Sequence, residues 1–261
     1  MAVHPKRPDG LQWGNHSEGV HPFDTVERAA HRVFVIVSDG ALGGDAADLV
    51  ETRAAESQAA AQVLGYPPPT FWRLPDRGVR YGEALVARML AAIEAAQADL
   101  VFAPAITEIH PDHQAVALAA AEAVRRLGGD VRLAWYEISA PLLPNTLVDI
   151  GAVEARKLDA MRCFRSQLAE QPYAERIAAL NRYRSYHLGP KVMAAEAFAI
   201  TDAAGLEKGG SPLFESALAR RHRLGFAVSG SDIPLVSILV RSMDRATLGE
   251  ALDSVALQTY D

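Results

Sequence analysis

Two histidines three residues apart are the side chains in this sequence best suited to chemistry. His110 and His113 flank Pro111 and Asp112, after an apolar run and before an alanine-rich helical pattern. Proline suits the first helical position, where its missing N–H costs nothing, so the pattern predicts a helix that begins at Pro111. A helix N-terminus favours a carboxylate and disfavours an imidazolium, so we expect a neutral His113, the form that binds a metal. The alternative for each histidine is a structural or solvated role.

The elements that position this turn repeat along the chain. Apolar runs typical of buried strands occur at residues 33–38, 70–74, 100–103, 131–138 and 195–200. Helical patterns occur at residues 46–64, 82–97, 111–127, 152–169 and 173–187, and residues 141–150 are predicted to be irregular. This alternation predicts a Rossmann-like α/β fold with a parallel sheet and helices on both faces. Such open sheets bind ligands at the carboxyl ends of their strands, where we expect the histidine turn.

The composition argues against several classes of protein. The 261 residues carry a formal charge of −6, which argues against a nucleic-acid partner. The single cysteine, Cys163, excludes a disulfide within the chain and a thiolate-rich metal site, and its setting predicts a structural role inside a helix. No apolar run reaches the ~20 residues that span a bilayer, and none resembles a signal-peptide core. We therefore expect a soluble, cytoplasmic protein without a membrane span.

The sequence predicts more than one domain. Residues 1–24 show no helical or strand period and are predicted to be irregular. Residues 25–205 form the expected α/β domain, and residues 206–233, rich in glycine, serine and charge, the expected linker. A new strand pattern at 234–240 and a helical pattern at 247–257 follow. Because one βα unit cannot bury its own faces, we interpret residues 234–261 as the start of a second domain whose remainder is absent.

A series of short motifs accompanies the histidine turn. In chain order they are Ser38-Asp39-Gly40, Arg53 with Glu56, Leu74-Pro75-Asp76, Pro144-Asn145, Val148-Asp149-Ile150, Lys157, Ser166-Gln167 and Ala195-Glu196-Ala197-Phe198. Together with residues 108–113, this ordered set resembles the PIG-L/LmbE family of zinc-dependent N-deacetylases. The resemblance covers roughly residues 25–200. It implies a hydrolase that removes an N-acetyl group from an amino sugar or a related carbohydrate conjugate.

The resemblance also implies roles for particular residues. In the family, two histidines and one aspartate hold zinc, which activates a water, while an aspartate acts as general base. His113 corresponds to a zinc ligand, and His110 to the histidine that stabilises developing charge or protonates the leaving amine. Asp112 corresponds to the carboxylate that orients His110.

The substrate-binding residues implied by the resemblance come from three earlier motifs. They are Asp39, Arg53 and Asp76. For Arg53 the alternative is a surface ion pair with Glu56, three residues further along the same predicted helix.

The sequence departs from the family at its first motif, Ala-His-Pro-Asp-Asp-Glu, which supplies the remaining zinc ligands and the base. His21 and Asp24 keep a His-x-x-Asp spacing, but Phe23 stands where the base belongs. A catalytic zinc needs about three protein ligands, so His113 alone cannot hold it. Two expectations stay open: His21 and Asp24 complete the zinc site, or the chain is an impaired module that binds sugar or serves as a fusion partner.

The last segment carries a second resemblance. Residues 235–245, with Leu248, Leu252 and Gln258-Thr259-Tyr260, resemble the opening of a family 2 (GT-A) glycosyltransferase. This implies a deacetylase natively fused to a glycosyltransferase. A dinucleotide-binding enzyme is disfavoured, because Gly40, Gly43 and Gly44 do not form a Gly-x-Gly-x-x-Gly turn.

Overall fold

The computed structural model describes residues 2–5, 32–42 and 48–208, and of residues 2–5 it describes the backbone alone. All of them belong to one compact unit. His21 and Asp24 lie outside the described residues. So do the expected linker beyond residue 208 and the expected second domain at 234–261.

Seven strands and seven helices make up the described part of the chain. The strands are β1 (Ala2–Pro5), β2 (Val33–Ser38), β3 (Thr70–Leu74), β4 (Ala98–Pro104), β5 (Arg132–Tyr136), β6 (Thr146–Asp149) and β7 (Ala195–Asp202). The helices are α1 (Leu49–Leu64), α2 (Glu83–Ala95), α3 (Pro111–Leu127), α4 (Glu154–Arg162), α5 (Arg165–Glu170), α6 (Tyr173–Ser185) and α7 (Ala203–Glu207). Within this part of the chain, no helix is both long and apolar enough to cross a membrane.

The strands form one seven-stranded sheet in the order β3-β2-β1-β4-β5-β7-β6. Strands β2 and β3 are parallel, as are β4 and β5. Strand β1 lies between β2 and β4 and is antiparallel to both, and β7 is antiparallel to β5 and β6. The α/β class is confirmed, but the expected parallel sheet is wrong, because the sheet is mixed. Alternating strand and helix patterns do not record the direction in which a strand enters the sheet.

Three elements differ from the sequence expectations. Neither β1 nor β6 was predicted, because each has four residues, too few to show a period of two. The β6 strand lies in the segment expected to be irregular. The helix predicted over residues 152–169 is instead two helices, α4 and α5, separated at Cys163 and Phe164.

The sheet buries both of its faces. Along β4, Val101 and Ala103 belong to one apolar cluster, whereas the alternate residue Leu100 belongs to another. Helices α2 and α3 supply buried side chains to the first cluster. On the second face, Lys157 of α4 contacts Glu196 of β7. Successive side chains of a strand point to opposite faces, so helices cover both, as predicted.

The carboxyl ends of β2, β3, β4 and β5 lie at the same edge of the sheet. Hydrogen bonds join the loops there: Asp39 N–H donates to the Leu74 carbonyl at 2.8 Å, and Ala105 N–H to the Tyr136 carbonyl at 2.9 Å. This edge therefore holds the loop after each strand, including the histidine turn that follows β4.

A buried ion pair holds the loop that follows β5. Glu137 and Arg184, whose side chains are 6% and 9% exposed, form two hydrogen bonds with each other. Glu137 also accepts from Leu142 N–H at 2.8 Å, and Arg184 donates to the Leu142 carbonyl at 2.8 Å. The pair thus ties α6 to both ends of residues 137–142.

Replacing Arg184 with methionine leaves the Glu137 carboxylate buried without its ion-pair partner. We expect Arg184→Met to lower the free energy of unfolding by about 3–5 kcal/mol. The double variant Arg184→Met/Glu137→Gln should recover part of that loss, since it removes the uncompensated charge. Urea denaturation of both variants at about pH 7 measures this, and an unchanged midpoint for Arg184→Met would contradict it.

Candidate active site

His110 lies at the N-cap of α3, and Pro111 is the first helical residue, as the sequence predicts. The Asp112 N–H donates to Nδ1 of His110 at 3.3 Å. Because Nδ1 accepts, the proton of the neutral ring lies on Nε2. Nε2 is 3.7 Å from Oδ1 of Asp76. His110 therefore presents an N–H donor beside a carboxylate.

His113 has the opposite arrangement. Its Nδ1 is buried without a hydrogen-bond partner among the described residues and lies 3.6 Å from Oε2 of Glu108. A carboxylate at this position favours the tautomer with the proton on Nδ1. The side chain is 32% exposed and lines a cleft, so the opposite edge of the ring faces that cleft. His113 therefore offers an Nε2 lone pair, as a metal ligand must.

Glu108 is fully buried, and the loop after β5 satisfies its carboxylate. Backbone N–H groups of Ile138, Ser139 and Ala140 donate to it at 2.8, 3.0 and 3.2 Å, and the Ser139 hydroxyl donates at 2.6 Å. Burial alone would raise the pKa of Glu108. Together, the His113 ring, the Ser139 hydroxyl and the backbone donors outweigh burial and lower this pKa to about 2. Glu108 is therefore an anion at neutral pH and lies beside Nδ1 of His113.

The two rings lie close enough to act on one bound molecule. Their centroids are 5.0 Å apart, with the ring planes inclined at 40°. One ring presents a proton donor and the other a lone pair. This combination suits a reaction that needs a metal ligand beside a general acid.

The Asp112 carboxylate contacts the turn after β3. It accepts from Arg77 N–H at 2.8 Å and from Val79 N–H at 3.1 Å. The contact from Asp112 to His110 is made by its backbone N–H. Asp112 thus reaches His110 through its backbone and not, as expected, through its carboxylate, which positions the neighbouring turn.

The three expected substrate-binding residues all line the cleft, and each also supports a loop. Asp39 Oδ1 accepts from Ala41 N–H at 3.1 Å and Asp76 N–H at 3.0 Å, and Asp76 Oδ2 accepts from Leu42 N–H at 3.1 Å. Arg53 donates to the Gly40 carbonyl at 2.6 Å. Their role toward a substrate stays a prediction.

Glycine is required at position 40. Its φ is +69°, and a Cβ there would approach within 2.8 Å of the Arg53 guanidinium.

Glu56, the other residue of the Arg53 motif, accepts from the Ser166 N–H and hydroxyl, both at 2.7 Å. Glu56 therefore joins α1 to α5.

The cleft at this edge has a volume of about 660 Å³, within the range of about 300–1,000 Å³ typical of small-molecule sites. Its polar lining includes both histidines, Asp39, Asp76 and Ser139. Helices α4 and α6 contribute the apolar side chains of Met161 and Ile177. The cleft therefore combines a reactive polar end with an apolar wall.

One set of three donors in the described residues could hold a metal ion. Asp76, His110 and Asp112 each offer a ligand atom, and these atoms lie within 4.8 Å of one another. However, both Asp112 oxygens already accept backbone N–H groups, so a metal would compete with those bonds. His113, backed by Glu108, offers a lone pair with no competing bond. The proposed partners His21 and Asp24 lie outside the described residues.

Sequence analysis did not assign a function to Glu108. Its partners, Ile138 and Ser139, are 30 and 31 residues away along the chain. No spacing rule joins positions this far apart. The available signal was a carboxylate four residues after the end of an apolar strand, where burial requires a partner.

A family model matches part of the chain. Residues 24–124 match the family described as PIG-L: GlcNAc-PI de-N-acetylase. The match includes Asp24 and the whole histidine turn, and it ends within α3. It supports a PIG-L, LmbE-like deacetylase domain and a deacetylase-like function for this part of the chain.

Solved structures share the fold. The conserved protein TT1542 from Thermus thermophilus is 28% identical, with a TM-score of 0.56 over 63% of this chain and 78% of that one. The N,N'-diacetylchitobiose deacetylase from Pyrococcus horikoshii is 24% identical, with a TM-score of 0.56 over 66% and 73%. GalB, a hydratase from Pseudomonas putida, is 22% identical, with a TM-score of 0.56 over 64% and 82%. Since a hydratase shares the fold, the reaction must be argued from the site.

The buried anion predicts how stability depends on pH. A carboxyl whose pKa falls from 4.5 to about 2 on folding stabilises the protein above about pH 4.5, and this contribution is lost as pH falls toward 2. Glu108→Gln should therefore lower the free energy of unfolding by about 3 kcal/mol at about pH 7. The difference from the unaltered protein should shrink below about pH 4.

Urea denaturation at about pH 7 and pH 3 measures both effects. Glu94→Gln is the matched control, because Glu94 is an exposed carboxylate on α2. A constant difference between Glu108→Gln and the unaltered protein at both pH values would contradict the assignment of Glu108 as a buried anion.

Proposed function

We propose that the chain is a zinc-dependent hydrolase that removes an N-acetyl group from an amino sugar or a related carbohydrate conjugate. The observation that carries this proposal is the pair of histidines in one cleft, where Nδ1 of His110 accepts from the Asp112 N–H and Nδ1 of His113 lies beside the Glu108 carboxylate. These contacts favour an N–H at Nε2 of His110 and a lone pair at Nε2 of His113. The family match supports it, because the matched residues include this turn.

In this proposal His113 holds the zinc together with His21 and Asp24. When bound, the metal supplies Lewis acidity toward an amide carbonyl and a water. Glu108 keeps the His113 lone pair directed into the cleft, since its charge holds the proton on Nδ1.

His110 acts as a hydrogen-bond donor. Its Nε2–H stabilises the negative charge that develops on the amide oxygen. Asp76, 3.7 Å from Nε2, favours the protonated edge of the ring. Asp112 is a positioning residue, since its carboxylate fixes the turn that carries Asp76.

Two findings support the proposed substrate: the substrates named for similar proteins and the volume of the cleft. The family description names GlcNAc-PI, and the Pyrococcus horikoshii enzyme is named for N,N'-diacetylchitobiose. A cleft of about 660 Å³ accommodates a sugar with an attached group. Asp39, Arg53 and Asp76 are the proposed contacts to the sugar.

A second candidate function is a module that binds sugar without turning it over. It is favoured by one observation from the sequence: Phe23 stands where the first motif of the family places its base. Residues 234–261 remain a proposed glycosyltransferase start, joined to the first domain through the linker. This part rests on sequence resemblance alone, because the family match covers residues 24–124.

The two histidines are expected to differ when each is replaced. His113→Ala should abolish zinc binding, because it removes a ligand. His110→Ala should retain zinc and slow acetate release from an N-acetylglucosamine conjugate by about 100- to 10,000-fold. Zinc affinity is measured by competition with a chromogenic chelator. His187→Ala is the matched control, because His187 is exposed and is not among the residues lining the cleft.

Two outcomes would contradict this assignment in different ways. If His110→Ala loses zinc and His113→Ala keeps it, the metal binds at Asp76, His110 and Asp112 instead. If both variants release acetate at the unaltered rate, neither histidine takes part and the proposal is wrong. Tight sugar binding without acetate release or zinc would establish the second candidate function.

A further inference from the structure

The turn after β3 places an arginine in a conformation that favours glycine. Gly78 N–H donates to the Pro75 carbonyl at 2.9 Å, which makes residues 75–78 a β-turn with Arg77 third. The φ of Arg77 is +56°. A positive φ at the third position of such a turn favours glycine or asparagine, because a Cβ is crowded there. The conformation of the turn therefore does not explain why an arginine occupies position 77.

The Arg77 side chain is available to a ligand. It is exposed and lines the cleft. The other arginines of the lining have contacts: Arg53 donates to the Gly40 carbonyl, and Arg73 pairs with Glu51 at 2.8 Å. Within the described residues, the Arg77 guanidinium has neither a hydrogen bond nor an ion pair. The positive charge of Arg77 therefore lies at the cleft without an ion-pair partner among the described residues.

The backbone of Arg77 is fixed close to the reactive end of the cleft. Its N–H donates to the buried Asp112 carboxylate at 2.8 Å, and its carbonyl accepts from Arg80 at 3.3 Å. The preceding residue, Asp76, contacts His110. Both backbone contacts would persist with glycine at position 77. The side chain is therefore not needed to hold the turn.

We propose that Arg77 is a specificity-determining residue that selects substrates with an anionic oxygen group, a carboxylate or a phosphate, attached to the amino sugar. The planar guanidinium can donate two parallel hydrogen bonds to either group. The sugar part of the proposal rests on the proposed function, whereas the preference for an anion is a binding property that does not require turnover.

The test compares ligands that differ in charge. N-acetylglucosamine, N-acetylglucosamine-1-phosphate and the carboxylate-bearing N-acetylmuramic acid are titrated calorimetrically into the full chain after dialysis against a chelator, so that they are not consumed. Variants are Arg77→Gly, Arg77→Lys and the control Arg182→Ser, which removes an exposed positive charge not among the cleft-lining residues.

At least one anionic ligand should bind about tenfold more tightly than the neutral sugar, as expected for one charge-assisted contact. Arg77→Gly should abolish this preference, Arg77→Lys should retain most of it, and Arg182→Ser should retain all of it. The ligand that gains affinity over the neutral sugar shows whether Arg77 prefers a phosphate or a carboxylate. The midpoint of thermal unfolding should rise in Arg77→Gly, since the strained conformation is relieved, whereas a structural role predicts a fall.

Three results would overturn the inference: no preference for either anion, an equal loss of neutral and anionic binding in Arg77→Gly, or the same loss of anion preference in Arg182→Ser. Absence of binding by every ligand at millimolar concentration also overturns it. Acetate release, measured separately, tests the proposed function. A preference that follows Arg77 without acetate release refutes the hydrolase and leaves the anion site intact.

Discussion

The interaction on which the site depends is the buried carboxylate of Glu108. An anion removed from water is stable only when donors surround it, and here backbone N–H groups of residues 138–140 and the Ser139 hydroxyl do so. The remaining side of the carboxylate faces His113. Because that contact favours the proton on Nδ1, it leaves the lone pair of the ring on Nε2. The loop after β5 thus sets the chemistry of a helix that follows β4.

The same use of carboxylates recurs around the cleft. Asp39 and Asp112 accept backbone N–H groups from neighbouring loops, and Glu56 accepts from Ser166. Each such bond joins segments that are distant in sequence, so the loops support one another at the carboxyl edge of the sheet. The reactive edges of His110 and His113 are therefore oriented before a ligand binds. Preorganised donors lower the reorganisation needed during reaction.

The sequence predicted those parts of the molecule that local patterns specify. Strands β2 and β3 have the predicted bounds, and α3 begins at Pro111 as expected. The direction of β7 was wrong, and β1 and β6 were missed, because direction and very short strands leave no periodic signal. At the site, spacing identified His110 and His113. The role of Glu108 depends on contacts with residues at least 30 positions away, which a local pattern does not contain. The tautomer of each ring depends on how its nitrogens are oriented toward neighbouring groups, which spacing alone does not specify.

In the proposed function, His113 is one ligand of a complete zinc site. The most direct measurement is the zinc content of the purified chain, by elemental analysis after dialysis against metal-free buffer. A complete site predicts about one zinc per chain, since about three protein ligands are needed to retain the ion. A value near zero would contradict it and would leave the chain with the deacetylase fold and without the metal that the proposed hydrolysis requires.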